Sequence, residues 1–358
     1  MKIKIIIAVL LLLVAGSFLY VKHENNSTKS IKVGIMMPLT GQFGAVGEGI
    51  ANSIELAKEE YVKAHPNMNI TFVTEDDAFD TKKGISAYKK LIELDHVQAI
   101  IMVSTPVLDA LHEQMQKDGI PIISIGLQNN GIAKDNIFQT SASPDLPIYD
   151  LAKHVNENTP YKRIAIVYSN IPGTIGFYNS FVSKFTGTHY DYQIKDQGDI
   201  RTVAATIVSK KYDAIVFLNT PIDGALIVKD ILTFTKTPPH FVFDIQLQTG
   251  WSEYKKVLGD TNLLNGSITL ALKQGDSYGE FASKYKTKFS SDPLPFSEYG
   301  YDSFYILMNA YAINNKDWIN NIQKTKVDGP SGKISFDENG VRIQDTVIKQ
   351  VKGGEIVE

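Results

Sequence analysis

Short apolar runs and amphipathic segments alternate along most of this chain. The first run, IKVGIMM at positions 31–37, contains β-branched residues and ends at Pro38 and Gly41, as expected of a buried strand followed by a loop. The next segment repeats apolar residues at helical spacing, which predicts a helix with one buried face. That face carries Ile50, Ile54, Ala57 and Tyr61.

The same alternation continues and restarts after Pro144, which predicts two successive parallel sheets with helices on both faces. The expected strands are NITFVTEDD, QAIIMVS, IPIISIG, RIAIVYS, DAIVFLN and HFVFDI. The expected helices lie near 81–94, 107–116, 176–185 and 224–234, and a further helix after Pro144 runs through Val155. The fold class is therefore α/β.

The N-terminus has the pattern of an export signal. Residues 1–21 carry Lys2 and Lys4 before a long apolar run, which predicts a signal peptide or an N-terminal membrane anchor. The small residues from Ala15 to Ser17 would suit a leader peptidase, so we expect cleavage rather than retention. Residues 22–30, KHENNSTKS, are polar and predict a linker. An extracytoplasmic location follows.

Charge and composition exclude several classes of protein. The net charge of −3 comes from interspersed charges with no basic stripe, which argues against a nucleic-acid partner. The chain has no cysteine, so neither a thiol nucleophile nor a lipid-modified cysteine is possible. Its seven histidines occur singly, without HExxH, and no GxSxG motif is present. We therefore expect no metal, no cofactor and no catalysis.

Two further patterns invite a catalytic or nucleotide-binding interpretation and do not support it. The glycines at 41, 44, 47 and 49 lack the GxGxxG spacing of a phosphate loop, so they are expected to shape a turn and allow close helix packing. Asp76 and Asp77 are neighbours in an extended segment, where side chains point apart, so they make a poor acid/base pair.

Five segments, in this order and spacing, resemble the type I periplasmic substrate-binding protein family, which includes the leucine/isoleucine/valine-binding proteins of ABC transporters. The resemblance runs from Ile31 to the C-terminus. The segments are the opening strand, loop and helix at 31–57, EDDAFDTKKGISAYKKLIELDHVQAII, VSTPVLDALHEQMQKDGIPIISIG, EYGYDSFYILMNAY and GPSGKISFDENG.

This resemblance implies two Rossmann-like lobes joined by a three-stranded hinge, with a small-molecule ligand bound between them. Lobe 1 would comprise 31–142 and 273–329, and lobe 2 would comprise 143–272 and 330–358. The chain would cross between them near 141–144, 268–273 and 329–333. A ligand that contacts both lobes would favour the closed form of the protein over the open form. A monomer that docks on an ABC transporter permease is expected, touching the membrane only through its N-terminal segment.

The resemblance places the first-lobe site in three loops. Ser104 and Thr105 follow a strand and precede a helix, so a hydroxyl and free N–H groups could hold a ligand carboxylate; alternatively, Thr105 only caps the helix. Leu127 and Gln128 occupy the next loop, where relatives commonly have a threonine at the position of Gln128. Phe43, with Val46, could form an apolar wall or simply pack the loop.

The second lobe departs further from the family pattern. Its expected site residues are Thr174, Gly176, Thr220 and Gln246. Gln246 stands near the position that usually carries an acidic partner for a ligand ammonium, and an ammonium buried without a counter-charge is costly. Asp244, Asp223 or Glu298 could supply that charge, although Asp244 could equally be a strand-end residue and Asp223 a helix cap. Otherwise the ligand is an amide, a small carboxylate or an aromatic acid.

The expected function is an extracytoplasmic solute-binding protein that captures an amino acid, an amide or a small organic acid and delivers it to an ABC importer. The alternative is a membrane-anchored sensor that presents its ligand-bound form to a signalling partner. A receptor of that kind would be expected to continue into a second membrane span, whereas this sequence stops at Glu358.

Overall fold

The structure is a computed structural model that describes residues 29–41, 43–126, 135–142 and 145–357. Six strands form its first sheet: β1 (Lys29–Met37), β2 (Met68–Asp76), β3 (Ala99–Met102), β4 (Ile122–Ser124), β5 (Ile137–Ala142) and β13 (Val341–Arg342). Their order across the sheet is β13-β5-β4-β3-β1-β2. Every pairing within this sheet is parallel.

Seven strands form the second sheet: β6 (Arg163–Ser169), β7 (Thr188–Ile194), β8 (Ala214–Leu218), β9 (His240–Phe243), β10 (Ile268–Leu272), β14 (Thr346–Lys352) and β15 (Glu355–Val357). Their order is β15-β14-β10-β9-β8-β6-β7. β14 pairs antiparallel with both β10 and β15, and the remaining pairings in this sheet are parallel. A separate hairpin is formed by β11 (Val327–Gly329) and β12 (Gly332–Ile334).

Helices connect most of the parallel strands, as the alternation predicts. In the first half they are α1 (Gly44–Ala64), α2 (Thr81–Lys89, extended by a π turn at Lys90–Leu94), α3 (Thr105–Asp118), α4 (Asp145–Asn158), α5 (Pro172–Lys184) and α6 (Ile200–Val208). In the second half they are α7 (Pro221–Phe234), α8 (Gln246–Thr249), α9 (Trp251–Leu258), α10 (Tyr278–Phe289), α11 (Ser297–Ile313) and α12 (Trp318–Gln323). Short 3₁₀ turns occur at Gln197–Asp199 and Thr261–Leu264.

Each sheet is covered on both faces, because successive residues of a strand point to opposite sides. In β1, Val33 and Ile35 pack with α1 and α11, while Met36 on the other face packs with α2 and α3. In β6, Val167 packs into the core on one face of the second sheet and Ile166 into the core on the other face. The predicted buried face of α1 is confirmed, since its four apolar residues are at most 1% exposed.

The chain changes sheets three times. The first change lies between β5 and β6, and the second follows β10, since α10 packs through Phe281 and Tyr285 against Leu56 of α1. For the third change, the family resemblance predicts a position near 329–333, which would leave 330–358 in the second lobe. The strand pairing corrects this boundary, because β13 joins the first sheet beside β5 and the change falls between Arg342 and Thr346.

The N-terminal predictions are tested only in part. The predicted linker at 22–30 is too long, because Lys29 and Ser30 already pair with β2 as the start of β1. The signal peptide or anchor at 1–21 and residues 22–28 lie outside the described residues. In the part of the chain that the structure describes, no helix combines the length and hydrophobicity needed to cross a bilayer.

Candidate functional site

The opening loop is held in place by Asp76 at the end of β2. Its carboxylate accepts hydrogen bonds from Leu39 N (2.9 Å), from the hydroxyl of Thr40 (2.6 Å) and from Ala78 N (2.8 Å). Burial opposes ionisation, but these hydrogen bonds outweigh it and lower the pKa of Asp76. Asp76 therefore shapes the loop that begins at Pro38.

Ser104 and Asp77 form a buried pair behind this loop. The hydroxyl of Ser104 donates to Asp77 Oδ1 at 2.6 Å, and both side chains are fully buried. Burial raises the pKa of Asp77. Since the one proton of the Ser104 hydroxyl goes to Asp77, contact between Ser104 and a ligand stays a prediction. The helix α3 begins at Thr105, so Ser104, and not Thr105, occupies the cap position.

An apolar cavity of about 190 Å³ lies at the carboxyl ends of β1, β3 and β4. It brings together two of the predicted site residues, Phe43 and Thr105. The remaining lining residues are Pro38, Val46, Ile50, Phe79, Val103, Ile125, Gly126 and Phe296. The rings of Phe43 and Phe79 lie 4.5 Å apart, which forms one wall. This position matches the rule that ligands bind at the carboxyl ends of parallel strands.

A polar cavity of about 220 Å³ adjoins the apolar one, and Phe296 lines both. Gln248 and Thr249 reach it from the segment after β9 of the second sheet. From the other side come residues on or near α10, α11 and the crossing segments: Leu272, Lys273, Gln274, Tyr278, Pro293, Leu294, Pro295, Glu298, Tyr299, Ser331 and Gln344. Segments that belong to both sheets therefore meet around this cavity.

Glu298 is the one acidic side chain among the described residues that line the polar cavity. Burial raises its pKa to about 7. Burial also raises the pKa of Asp302, one helical turn later, to about 6. Asp302 accepts hydrogen bonds from the backbone N–H and the hydroxyl of Ser331, whereas no salt bridge to Glu298 is present among the described residues.

Arg342 holds together segments at and near the polar cavity, since its partner Ser331 lines that cavity. All five of its N–H groups are used, on the carbonyl of Thr140 in β5, on the hydroxyl and carbonyl of Ser331, and twice on the carbonyl of Lys333. The side chain is 1% exposed. A buried guanidinium with every donor paired fixes β13 against β5 and the hairpin.

The predicted second-lobe residues occupy mainly structural positions. Thr174 is buried, and its hydroxyl donates to the carbonyls of Ser169 and Ile171. Gly176 lies inside α5, and Thr220 caps α7 by accepting from Asp223 N at 3.4 Å. None of these three lines the two cavities described above.

Gln246 and two of the acids considered near it lie after strands of the second sheet: Asp244 is buried directly after β9, whereas Gln246 and Asp223 are partly buried in the first turns of α8 and α7. Asp244 follows β9, is 1% exposed, and accepts from Gln246 N at 2.8 Å. Its Oδ2 and the side-chain oxygen of Gln246 have no hydrogen-bond partner among the described residues. Asp223 accepts from the hydroxyl of Ser169 at 2.6 Å. The interpretation of Asp244 as a strand-end residue therefore fits. The interpretation of Asp223 as a helix cap is wrong, because Thr220 caps α7 and Asp223 lies in its first turn.

Two predicted residues, Leu127 and Gln128, lie outside the described residues. Gly126, immediately before them, lines the apolar cavity beside Thr105. No pattern in the sequence pointed to Gln248, Thr249, Tyr278 or Phe296. The available signals were indirect: Gln248 and Thr249 follow Gln246 closely, and Phe296 immediately precedes the SEYGYD helix.

Comparison with known proteins identifies the family. The model of the family described as periplasmic binding protein matches residues 30–355. The chain belongs to this family. Leu/Ile/Val-binding protein BraC3 of Rhizobium johnstonii is 25% identical over 216 residues, which cover 56% of this chain and 58% of that protein. Leu/Ile/Val-binding protein homolog 2 of Brucella abortus is 32% identical over 157 residues, which cover 41% of each. The chain thus spans somewhat over half of the first relative's length, and less of the second.

Solved structures of periplasmic binding proteins share the whole fold. LivJ of Streptococcus pneumoniae, solved in complex with isoleucine, has a TM-score of 0.77 at 19% identity and covers 92% of this chain and 98% of its own. A solute-binding protein of R. palustris, solved in complex with benzoate, has a TM-score of 0.72 at 20% identity, with 92% and 95% covered. At these identities the likeness shows the two-lobed type I fold alone.

Two general conclusions follow from membership of the periplasmic binding protein family. The family and its fold are those of solute-binding proteins that resemble the Leu/Ile/Val-binding type. An extracytoplasmic location follows from the same membership. Within the described parts of the chain, no group of three His, Asp or Glu side chains is arranged to hold a metal ion.

Proposed function

We propose that this periplasmic binding protein captures a small polar solute between its lobes and delivers it to an ABC importer. The observation that carries the proposal is the polar cavity, because it is lined by Gln248 and Thr249 on one side and by Phe296, Glu298 and Tyr299 on the other. A ligand there would touch segments associated with both sheets. Only such a ligand can favour the closed form over the open one.

The two adjoining cavities define the ligand that fits. Amide and hydroxyl groups around the polar cavity can orient a polar head, and the apolar cavity can take a hydrocarbon or aromatic part. Phe296 lies between them, so one molecule could occupy both. Amino acids, amides and small organic acids all combine these features. The isoleucine and benzoate bound by the two structural relatives belong to these classes.

The test is a thermal-shift screen of the protein without residues 1–28 against amino acids, their amides, small carboxylic acids and aromatic acids. A ligand that binds only the folded state raises stability by RT ln(1 + [L]/Kd), about 2.7 kcal/mol at one hundred times Kd. We expect at least one class to raise the melting temperature in a saturable way. No shift with any class would contradict a solute-binding function.

The anchored sensor is a second candidate, favoured by the length of the apolar run at 1–21. The two functions differ in the fate of this segment and in the partner. N-terminal sequencing of the mature protein and its release from washed membranes test the anchor. Co-purification with a permease supports delivery, whereas co-purification with a membrane kinase supports sensing.

A further inference from the structure

Glu298 lines the polar cavity and forms no salt bridge among the described residues. It lies in the first turn of α11, is partly buried, and shares the lining of the polar cavity with Gln248 and Thr249. A carboxylate in a helix's first turn also stabilises the helix dipole, which would explain an acid at this position. It would not explain why that acid faces a cavity shared with the segment after β9.

The cationic groups nearby leave Glu298 without a direct partner. Arg342 is close enough to act on it through its charge, but its five N–H groups are bonded to carbonyls and to Ser331. Lys273 lines the same cavity, is exposed, and forms no salt bridge with it among the described residues. A partly buried carboxylate of this kind gains most from a cation that arrives in the cavity.

We propose that Glu298 receives a protonated nitrogen of the bound solute, so that the protein selects small molecules with an ammonium or amidinium group. This inference rests on the proposed solute-binding function and assigns its specificity. Lys273 at the same cavity could pair with a carboxylate of the solute, so a zwitterion also fits. Glu298 thereby supplies the counter-charge that Gln246 cannot provide.

The proposal has a consequence for pH. Because burial raises the pKa of Glu298 to about 7, part of the population is protonated near neutrality, and a bound cation must displace that proton. Affinity for a cationic solute should therefore fall about tenfold for each pH unit below the pKa. The other groups that face Glu298 are Asp302 and Tyr299 on α11, Tyr278 on α10, Arg342 on β13 and Lys273.

The experiment uses matched pairs of solutes that differ only at the nitrogen. The pairs are L-leucine with 4-methylpentanoate, L-phenylalanine with 3-phenylpropanoate, and benzamidine with benzamide. Titration calorimetry at pH 8 and pH 6 compares the wild type with Glu298→Gln, which keeps the shape and removes the charge. The control is Glu113→Gln, an equal change of charge at an exposed position of α3.

We expect the cationic member of at least one pair to bind the wild type about tenfold or more tightly than its partner. Glu298→Gln should abolish this preference and its weakening at pH 6, whereas Glu113→Gln should retain both. If Asp302 carried the pH effect, Glu298→Gln would keep it. Should the Gln variant fail to fold, proton release by the wild type on binding the same solute at pH 7 decides, and we expect about half a proton.

The outcomes separate this inference from the function on which it rests. Equal binding of both members of every pair, unchanged in Glu298→Gln, would overturn the role of Glu298 while the solute-binding function stands. Binding of the cationic member without proton release in the wild type would overturn it as well. No binding of any of the six solutes at either pH would count against both.

Discussion

Asp244 is a deeply buried acid that forms no salt bridge among the described residues. Burial raises its pKa well above the usual range, so the folded protein holds a proton that the unfolded chain releases. Below about pH 4, Asp244 is protonated in both the folded and the unfolded protein, so its contribution to the free energy of unfolding is fully present. That contribution is lost as the pH rises toward the pKa of the folded protein. Asp244→Asn removes the titration, so its stability relative to wild type should be higher at pH 8 than at pH 5.

Urea unfolding at the two pH values measures this difference. Asp328→Asn, at an exposed position of β11, provides the control and should differ from wild type by the same amount at both pH values. An Asp244→Asn difference that does not change with pH would mean that Asp244 is ionised in the folded protein.

Thr105 is the predicted site residue whose position best fits ligand contact. It lines the apolar cavity, and its hydroxyl lies so close to Gly126 that a Cβ added to this glycine would come within 3.1 Å of it. Thr105→Ala should weaken binding of the solute found by the thermal-shift screen by about 1 kcal/mol. Thr105→Ser keeps the hydroxyl and should retain most of the affinity. Equal affinity of Thr105→Ala and wild type in calorimetry would leave Thr105 with a structural role.

Single residues show where prediction from sequence stops. The pattern correctly identified Ser104 as a residue at the end of a strand and the start of a helix. It did not reveal that the hydroxyl faces Asp77, 27 positions earlier, because that contact depends on how β2 and β3 flank β1. In contrast, Asp76 and Asp77, which the sequence argues against as an acid/base pair, each accept a hydrogen bond from the backbone two residues later, because Asx geometry is local.

The packing of α2 on α3 depends on Gly84. A Cβ at this position would lie 2.3 Å from one methyl carbon of Val107 and 2.5 Å from the other. Val107 is fully buried, so it has little room to move. Gly84→Ala should therefore destabilise the protein by about 1–3 kcal/mol, in spite of the higher helix propensity of alanine.

A double-mutant cycle tests this explanation. Val107→Ala removes both methyl groups, so Gly84→Ala should be neutral or stabilising in that background, and urea unfolding should show a coupling of about 1 kcal/mol or more. The control is Gly173→Ala, where a Cβ would meet nothing within 4 Å. Simple additivity of the two changes would contradict a clash with Val107 as the cause of the destabilisation.

Elements with a strong apolar period were predictable, and elements without one were not. The strands β1, β3, β6 and β8 are nearly continuous apolar runs because helices cover both of their faces. β7 was not predicted. Its sequence, THYDYQI, is largely polar, since it pairs only with β6 and most of its residues remain partly or fully exposed.

For the whole molecule, the order of strands and helices predicted two sheets, but not where the chain last changes between them. The two residues of β13 carry too little pattern to be recognised. Their place is set by Arg342, whose buried guanidinium bonds to Thr140, Ser331 and Lys333. The polar cavity could not be predicted either, because its lining comes from segments far apart in the chain.

Closure on the ligand is the prediction for the molecule as a whole. The chain contains no cysteine, so two introduced cysteines can carry a fluorophore pair without background labelling. Lys82, after β2 of the first sheet, and Lys195, after β7 of the second, are both exposed. Energy transfer between labels at Lys82→Cys and Lys195→Cys should increase when the solute from the thermal-shift screen is added, because contact with both lobes favours the closed form.

The matched control places both labels on the first sheet's helices, at Lys82→Cys and Lys117→Cys, where both positions are exposed. Rigid-body closure leaves that distance unchanged, so only the pair that spans the two sheets should respond. The solute concentration at half-maximal change should equal the Kd from calorimetry, since closure and binding are linked. Saturation in calorimetry without any change in energy transfer would show that the ligand binds one lobe alone, and recognition by an importer would then need a signal other than closure.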